Sequence, residues 1–434
     1  MRFSFYIFFS LIVVLASCNR PESKSAAQEG DNATSMQSSE TNTSQTSEGN
    51  TAKSKYSQTE SVTLPNGGDE YKLDDNFMYH LSTNNLLEAI DFKEIFEEYN
   101  YIPLKQTPEY TIGEVSQVLA TEDRLFVVSD GIYCYDFEGN PIYHITDKGH
   151  ARNEFIKCET VSISDSLLFM FDPNGLKIHV YEIGTGKFLY NIPCPYADNI
   201  YKIGNGFVVE DLSHLSTKAY FEDKDRFFVY NEDLSTMKYR TMGKEQHLAY
   251  LGKPTSLGNG CILFSDVFEG KVYKILPDKV ISYLQIDCDP KYIKTPKEIH
   301  KAIDKAIVSK EDLEAVQHIC ETDSHIYGTF LLKGKAFHFV FDKNSRHSKV
   351  FSRFKDTTPH MFSGCLSGNP YSNNQYIILD FSPNGVKSQL YCMEVGRDFE
   401  PFPESHPEYK QYQKLLNCKP DDNPIIAIYK FRSF

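Results

Sequence analysis

The stretch LFVVSDGIYCYDFEGNPIYHI, residues 125–145, decides the fold because it contains three short apolar strands in succession. Gly, Asn and Asp occupy the turns between these strands, where positive φ values are needed. The stretch LLFMFDPNGLKIHVYEIGTGKFLYNI, residues 167–192, repeats the same order of strands and turns. Phe126 and Phe169 lie 43 residues apart, and Ile145 and Ile192 lie 47 apart. The two stretches are therefore copies of one repeating unit.

Weaker copies of the unit follow at residues 227–231, 271–275, 338–342 and 376–380. Repeats of about 40–50 residues with several strands each are typical of β-propellers, in which each unit forms one blade. The sequence therefore predicts an all-β, six-bladed β-propeller. A pair of β-sandwiches is the alternative, but it does not predict this spacing. The apolar segments at residues 99–104 and 425–431 are predicted to complete the same last blade, because an open ring would leave an unpaired edge.

The spacing widens between the fourth and fifth copies, and the additional sequence has helical character. Thr295, Pro296 and Glu298 have the form of a capping box, and apolar residues follow at helical spacing. A second helix is predicted to begin at Ser309 and to carry Leu313, Val316 and Ile319. We therefore expect a helical insertion over residues 290–319 in blade five, as a structural appendage or as a lid.

An apolar run of 13 residues, positions 3–15, follows the single cation Arg2 at the N-terminus. A helix that spans a membrane needs roughly 20 apolar residues, so the run favours a cleaved signal. The following LASC, residues 15–18, resembles a bacterial lipobox, with small residues before a cysteine that is acylated. We predict a lipoprotein signal peptide over residues 1–17 and lipid attachment at Cys18; the alternative is an ordinary signal peptide with an incidental cysteine. Because Asn19 rather than Asp follows Cys18, the predicted location is the outer membrane, with the propeller possible on the cell surface.

Residues 18–70 are rich in Ser, Thr, Asn, Gln, Glu and Gly and contain few large apolar residues. Such a segment cannot bury enough surface to offset the entropy of ordering it. It is predicted to be a disordered tether with a reach of roughly 40 Å, and residues 71–434 are predicted to form the propeller.

Charge and cysteine content limit the partners and the chemistry. The formal net charge of −14 disfavours sequence-independent binding to nucleic acid. Ten cysteines are present, and once Cys18 is assigned to lipid an odd number remains, with no CxxC pair. Cys134, Cys194, Cys261, Cys365 and Cys392 lie in or beside apolar, strand-like segments. Buried free thiols are favoured over a disulfide framework.

The sequence contains no known catalytic or metal-binding motif. We therefore predict no catalytic residue, no metal site and no cofactor. The sequences at residues 172–175 and 382–385, both containing Pro-Asn-Gly, are predicted to be turns rather than metal ligands.

The loop of residues 147–155, between the first two blades, is the predicted ligand site. Besides Asp147, it concentrates four charged or titratable residues that could receive a carboxylate or sulfate, with Arg152 making paired hydrogen bonds and Glu154 holding it. In the alternative interpretation the loop is solvated and Glu154 satisfies backbone donors. The predicted residues are Lys148, His150, Arg152 and Glu154.

Three segments carry a resemblance to a known family: IDFKEIFEEYNYIPLKQTPEYTIGEVSQVLATEDRLFVVS (90–129), YDFEGNPIYHITDKGHARNEF (135–155) and DNPIIAIYKF (422–431). They resemble the six-bladed β-propeller lipoproteins of Gram-negative gut-type anaerobes, which are similar to NHL-repeat propellers. The resemblance covers residues 90–434 and implies a fold and an address rather than a reaction. We therefore expect a membrane-anchored binding or scaffold protein with a glycan, peptide or protein ligand. The alternative is an enzyme, a lyase or hydrolase, with its site in the central channel.

Overall fold

The computed structural model describes residues 67–71, 73, 76–194, 197–210, 226–241, 254–257, 260–266, 270–288, 313–332, 335–355, 371–395 and 403–434. These residues form six sheets, each of four or five strands, in the arrangement of a six-bladed β-propeller. The predicted fold class is therefore confirmed. Residues 1–66, which include the predicted signal peptide, Cys18 and most of the predicted tether, lie outside the described residues.

Four strands and one short 3₁₀ helix precede the first complete blade. They are β1 (Asp69–Glu70), β2 (Tyr79–Ser82), β3 (Leu86–Ile90), the 3₁₀ helix (Phe92–Glu94) and β4 (Phe96–Pro103). β1 lies within the range predicted to be tether, so the folded part begins before residue 71.

Blades 1 to 3 follow in order, and each begins with its innermost strand. Blade 1 contains β5 (Gln117–Ala120), β6 (Leu125–Val128), β7 (Ile132–Tyr135) and β8 (Pro141–Ile145). Blade 2 contains β9 (Thr160–Ser164), β10 (Leu167–Asp172), β11 (Lys177–Glu182) and β12 (Phe188–Pro193). Blade 3 contains β13 (Asn199–Ile203), β14 (Gly206–Glu210), β15 (Phe227–Asn231) and β16 (Met237–Thr241).

Blades 4 to 6 complete the ring. Blade 4 contains β17 (Thr255–Leu257), β18 (Cys261–Asp266), β19 (Lys271–Ile275) and β20 (Val280–Asp287). Blade 5 contains β21 (Leu313–Glu321), β22 (His325–Leu332), β23 (Lys335–Asp342) and β24 (Ser348–Phe354). Blade 6 contains β25 (Tyr371–Ser372), β26 (Tyr376–Phe381), β27 (Ile425–Phe431) and β4.

The two ends of the folded chain meet in blade 6. β27 pairs antiparallel with β4 in a register that runs from Ile425 opposite Pro103 to Phe431 opposite Phe96. On its other side β27 pairs with β26. The predicted closure of the ring by the two chain ends is therefore confirmed.

The rim strands β1, β2 and β3 were not foreseen as part of the sheets. They pair in parallel with the outermost strands of blades 3, 4 and 5, which are β16, β20 and β24. Leu81 of β2 and Ile90 of β3 are buried in the cores beneath these blades. The chain thus passes along the outside of three blades before it enters blade 6 as β4.

The helical insertion is corrected in part. Residues 290–312 lie outside the described residues, but Leu313–Glu321 forms β21, so the helix predicted over residues 313–319 is wrong there. The pairing of β21 with β22 shifts at Glu314/Val316 and again at Gln317/Cys320. Each β-bulge adds a residue and interrupts the alternation of a regular strand. Leu313, Val316 and Ile319 consequently lie three positions apart in the sequence, as apolar residues on one face of a helix would.

Two helices do lie between β26 and β27: α1 (Pro383–Val395) and α2 (Tyr409–Leu416). The turn predicted at residues 382–385 is wrong because Pro383 begins α1, where a missing amide proton costs nothing. The Ser382 hydroxyl accepts a hydrogen bond from the Gly385 amide at 3.1 Å, as an N-cap does. Cys392 therefore lies in α1 and not in a strand-like segment, and Cys365 lies outside the described residues.

The described cysteines agree with the prediction of free thiols. Seven of them form no disulfide: Cys134, Cys158, Cys194, Cys261, Cys288, Cys320 and Cys418. Burial raises the pKa of both Cys134 and Cys261 to about 11. These thiols stay protonated near neutral pH and pack as small apolar groups.

Candidate functional site

The loop of residues 147–155 is folded back on itself between β8 and β9. The Gly149 amide donates to the Phe155 carbonyl at 3.0 Å, and the Phe155 amide donates to the Asp147 carbonyl at 3.1 Å. Phe155 is completely buried in the core between blades 1 and 2. The loop is thereby fixed at its base, and its tip, residues 150–153, is exposed.

Glu154 stabilises the tip of the loop. Its carboxylate accepts a hydrogen bond from the Ala151 amide at 2.9 Å. It also packs so closely on Gly149 that a side chain at that position would collide with it. Among the interactions of the described residues, none joins Glu154 to Arg152. This geometry agrees with the alternative interpretation, in which Glu154 satisfies backbone donors.

The buried carboxylate of Asp172 holds the next part of the chain, residues 156–157. It accepts hydrogen bonds from the amides of Ile156 at 2.8 Å, Lys157 at 3.1 Å and Gly175 at 2.9 Å. Burial alone would raise the pKa of Asp172, but the neighbouring His179 ring and these amides outweigh it and lower the pKa to about 2. The turn predicted at residues 172–175 is present, and its aspartate organises backbone.

The other three predicted residues are exposed, and the structure does not gather them at the channel. Lys148 forms an ion pair with Asp130 at 3.2 Å. Arg152 lies with its guanidinium 6.0 Å from the centre of the Phe188 ring, and its carbonyl accepts from the Asn191 side chain at 2.7 Å. Phe188 and Asn191 belong to β12, the outermost strand of blade 2. The tip of the loop therefore lies beside the outer half of blade 2.

Polar side chains link the innermost strands around the ring. The Gln117 side chain donates to the Val161 carbonyl at 2.9 Å and accepts from the Val161 amide at 3.1 Å, which joins blades 1 and 2. Comparable bonds join Thr160 of blade 2 to Asn199 of blade 3, and Thr255 of blade 4 to the Ile319 carbonyl of blade 5. The Glu321 amide of blade 5 bonds Ser372 of blade 6, and Tyr371 of blade 6 bonds the Ser116 carbonyl beside blade 1. These bonds fix the blades of each of these five pairs to one another close to the axis of the propeller.

A buried ion pair, which the sequence did not reveal, lies in blade 3. Arg226 donates through Nε to one carboxylate oxygen of Glu210 at 2.7 Å. The side-chain amide of Asn199 donates to the other oxygen at 2.8 Å. The guanidinium lies between two aromatic rings, 4.9 Å from the centre of Phe227 and 4.7 Å from that of Phe264. Both charged side chains are almost completely buried. The arrangement completes the hydrogen bonding of the carboxylate and fixes the end of β14.

The carboxyl group of Asp380, on β26, has a raised pKa. Burial, together with the negative charge of Glu114, raises its pKa to about 6. The nearby Tyr371 belongs to the innermost strand β25, and its hydroxyl bonds the Ser116 carbonyl. A carboxyl group that exchanges protons near neutral pH is able to act as a general acid or base.

Asp172, Glu210 and Asp380 share a sequence signal. Each is the acid at or near the end of an apolar second strand of its blade, in the sequences FMFD, FVVE and IILD. An acid that interrupts a buried strand must find hydrogen-bond donors or change its pKa. This pattern could have identified all three residues.

Metal-binding clusters and membrane-spanning helices are absent from the described part of the chain. No group of three His, Cys, Asp or Glu side chains there could hold a metal ion. Nor does any helix in these residues have the length and apolarity required to cross a membrane.

Comparison with known families gives an assignment. The family described as "Domain of unknown function (DUF4934)" matches residues 76–430. The match covers most of the chain, so the protein belongs to this family.

Solved structures show a similar fold. A candidate exported protein from Bacteroides fragilis NCTC 9343 superposes with a TM-score of 0.58 and 12% identity, over 80% of this chain and 100% of the other. Virginiamycin B lyase from Staphylococcus aureus reaches a TM-score of 0.35 at 11% identity, over 67% of this chain and 83% of the lyase. The first likeness supports the fold alone, and the second is too low to carry an argument. Among curated proteins, none matches the sequence significantly.

Proposed function

We propose that the protein is a lipid-anchored binding protein of the outer membrane, whose propeller holds a glycan, peptide or protein ligand. The observation that carries the proposal is the loop of residues 147–155. The backbone hydrogen bonds of Phe155, and those that Asp172 accepts from residues 156–157 just after the loop, fix its course, while His150 and Arg152 are exposed at its tip. A fixed loop with an exposed guanidinium binds anions without a large ordering cost.

The cellular location in this proposal is supported by the lipobox-like residues 15–18 and by the Bacteroides neighbour, a candidate exported protein. The resemblance to propeller lipoproteins of Gram-negative anaerobes supports it as well. Acylation at the cysteine and at the new amino terminus would supply several chains, enough for stable anchoring.

Replacing Cys18 by Ser is expected to release the protein from the membrane or to leave its signal peptide uncut. The substitution removes the thiol that the lipid requires, and one apolar run of 13 residues does not span a bilayer. Fractionation with immunoblotting measures both results, and Ser17→Ala is a control that leaves the thiol and the small residue in place. Unchanged membrane association of the Cys18→Ser protein would contradict lipid anchoring.

Replacing Arg152 by Ala is expected to weaken binding of acidic ligands at least tenfold, with the melting temperature nearly unchanged. The exposed guanidinium contributes charge and paired donors but little packing. Residues 19–434 would be tested on an array of sulfated glycans and acidic peptides. Arg346→Ala is the matched control, because Arg346 is also exposed and lies 5.8 Å from the centre of an aromatic ring, that of Tyr79. Equal binding by the Arg152→Ala protein and the parent would remove the loop from the proposal.

An enzyme, a lyase or hydrolase, is the second candidate function. Asp380 favours it, because a pKa of about 6 suits proton transfer near neutral pH and the residue lies next to an innermost strand. The measurement is the turnover rate of a carbohydrate or peptide substrate as a function of pH. A rate that changes with the protonation of a group of pKa about 6 would favour the enzyme over the binding protein.

A further inference from the structure

The outer edges of the blades are covered unequally. Blades 3, 4 and 5 each carry a rim strand in parallel with their outermost strand. In blade 6 the side chains of α2 bond the outermost strand, since Gln411 accepts from the Tyr101 amide at 3.1 Å and Lys414 donates to the Tyr101 carbonyl at 2.8 Å. β8 and β12 are the last strands of blades 1 and 2, and within the described ranges no segment pairs with their outer sides.

The uncovered strand of blade 2 has an apolar surface. Leu189 and Tyr190, adjacent residues of β12, are 38% and 40% exposed. At the covered edge of blade 4, by contrast, Leu284 and Ile286 of β20 are completely buried. Exposed apolar side chains on an unpaired strand are typical of a surface that binds another strand.

The backbone of this edge has the same form as the edges that do bind a strand. In blade 2 the register between the third and outermost strands shifts at Val180/Tyr181. Equivalent shifts occur at Val229/Tyr230 in blade 3 and at Val272/Tyr273 in blade 4. Blades 3 and 4 accept β1 and β2 next to these bulges.

The molecule itself shows how a strand binds such an edge. β2 lies parallel to β20 over four residues, from Tyr79 opposite Leu284 to Ser82 opposite Asp287. Its backbone completes the sheet, and Leu81 is buried completely. Binding of this kind takes affinity from main-chain hydrogen bonds and specificity from alternate side chains.

We propose that the outer edge of blade 2 binds an extended segment of a partner protein as a parallel fifth strand. The segment carries large apolar side chains at alternate positions, which cover Leu189 and Tyr190 as Leu81 covers blade 4. The edge of blade 2 directly follows the edges used by β3, β2 and β1, so the occupant continues an interface that the chain already uses on three blades. This inference goes beyond the proposed ligand site and does not depend on it.

The test uses residues 19–434 and a fluorescent synthetic peptide with the sequence of residues 79–90, YHLSTNNLLEAI, which covers β2 and β3. The peptide is expected to bind saturably in fluorescence anisotropy, and Leu189→Lys is expected to weaken binding at least tenfold. A charge on the edge opposes strand pairing. Leu416→Lys is the matched control, because Leu416 is a 45% exposed leucine on α2, which lies at blade 6 and not at blade 2, and its replacement should not change binding. A peptide with Leu81→Pro and Leu87→Pro should not bind, because proline removes backbone donors.

Three results would overturn the proposal. One is the absence of saturable binding to the parent chain. Another is an equal affinity of the Leu189→Lys protein, provided that its melting temperature stays within a few degrees of the parent. The third is a dimer in sedimentation that Leu189→Lys converts to a monomer, because the edge would then belong to a second copy of the chain.

Discussion

A chain that ends before Pro424 is expected to lose its cooperative unfolding transition. The truncation removes β27, the strand that joins β26 to β4, and so opens the ring at blade 6. It also removes several completely or almost completely buried side chains, including Ile425, Ile426 and Tyr429. Each large apolar side chain contributes about 1.5–3 kcal/mol when it is buried, and the whole protein is stable by only about 5–15 kcal/mol. The loss therefore approaches or exceeds the total stability.

Calorimetry or circular dichroism during heating measures this effect. A chain that ends after Arg432 keeps all of β27 and is the control, and it should melt within a few degrees of the parent. If the chain that ends before Pro424 melted as sharply and at as high a temperature as the parent, the closure of the ring by β27 would not stabilise the fold.

Replacing Glu210 by Ala is expected to destabilise the protein by about 3–5 kcal/mol, because the Arg226 guanidinium would stay buried without its counter-charge. The change also removes the acceptor for the side-chain amide of Asn199. The pair of changes Glu210→Met and Arg226→Met should cost less than the sum of the two single changes, since apolar side chains of similar size leave no buried charge.

Urea unfolding of the single and double variants measures the free energies. Lys430→Ala is the control, because Lys430 pairs with Glu97 at 2.8 Å on the surface, where solvent screens the charges, so the change should have little effect on stability. Additive effects of the two methionine changes, or a cost below about 1 kcal/mol for Glu210→Ala, would show that the buried pair does not hold β14 in place.

The blades could be predicted because their signals are local. In blades 1 and 2 each strand pairs with the next strand along the chain, and the turns contain the residues that such turns require. The closure by β27 and β4 could also be predicted, because an apolar strand at each chain end leaves an unpaired edge unless the two strands pair in the same blade.

The rim strands could not be predicted in this way. β2 pairs with residues about 200 positions away, and its sequence YHLS has no feature that selects this partner. The error at β21 has a different cause, because two bulges change the spacing of its apolar residues from two to three. The position of the loop of residues 147–155 also depends on distant contacts, with Lys177 and Asn191 of the next blade.

The parallel attachment of the rim strands determines how the molecule responds to tension. A pulling force applied at Gly67 reaches β1 first, then β2, β3 and last β4. β1 is held by two residue pairs and β2 by four, whereas β4 is held by seven. The outer strands therefore separate one after another, and the chain from Gly67 to Ile95 then spans up to about 90 Å, at about 3.3 Å per extended residue. This elongation relieves the force before it reaches the strand that closes the ring.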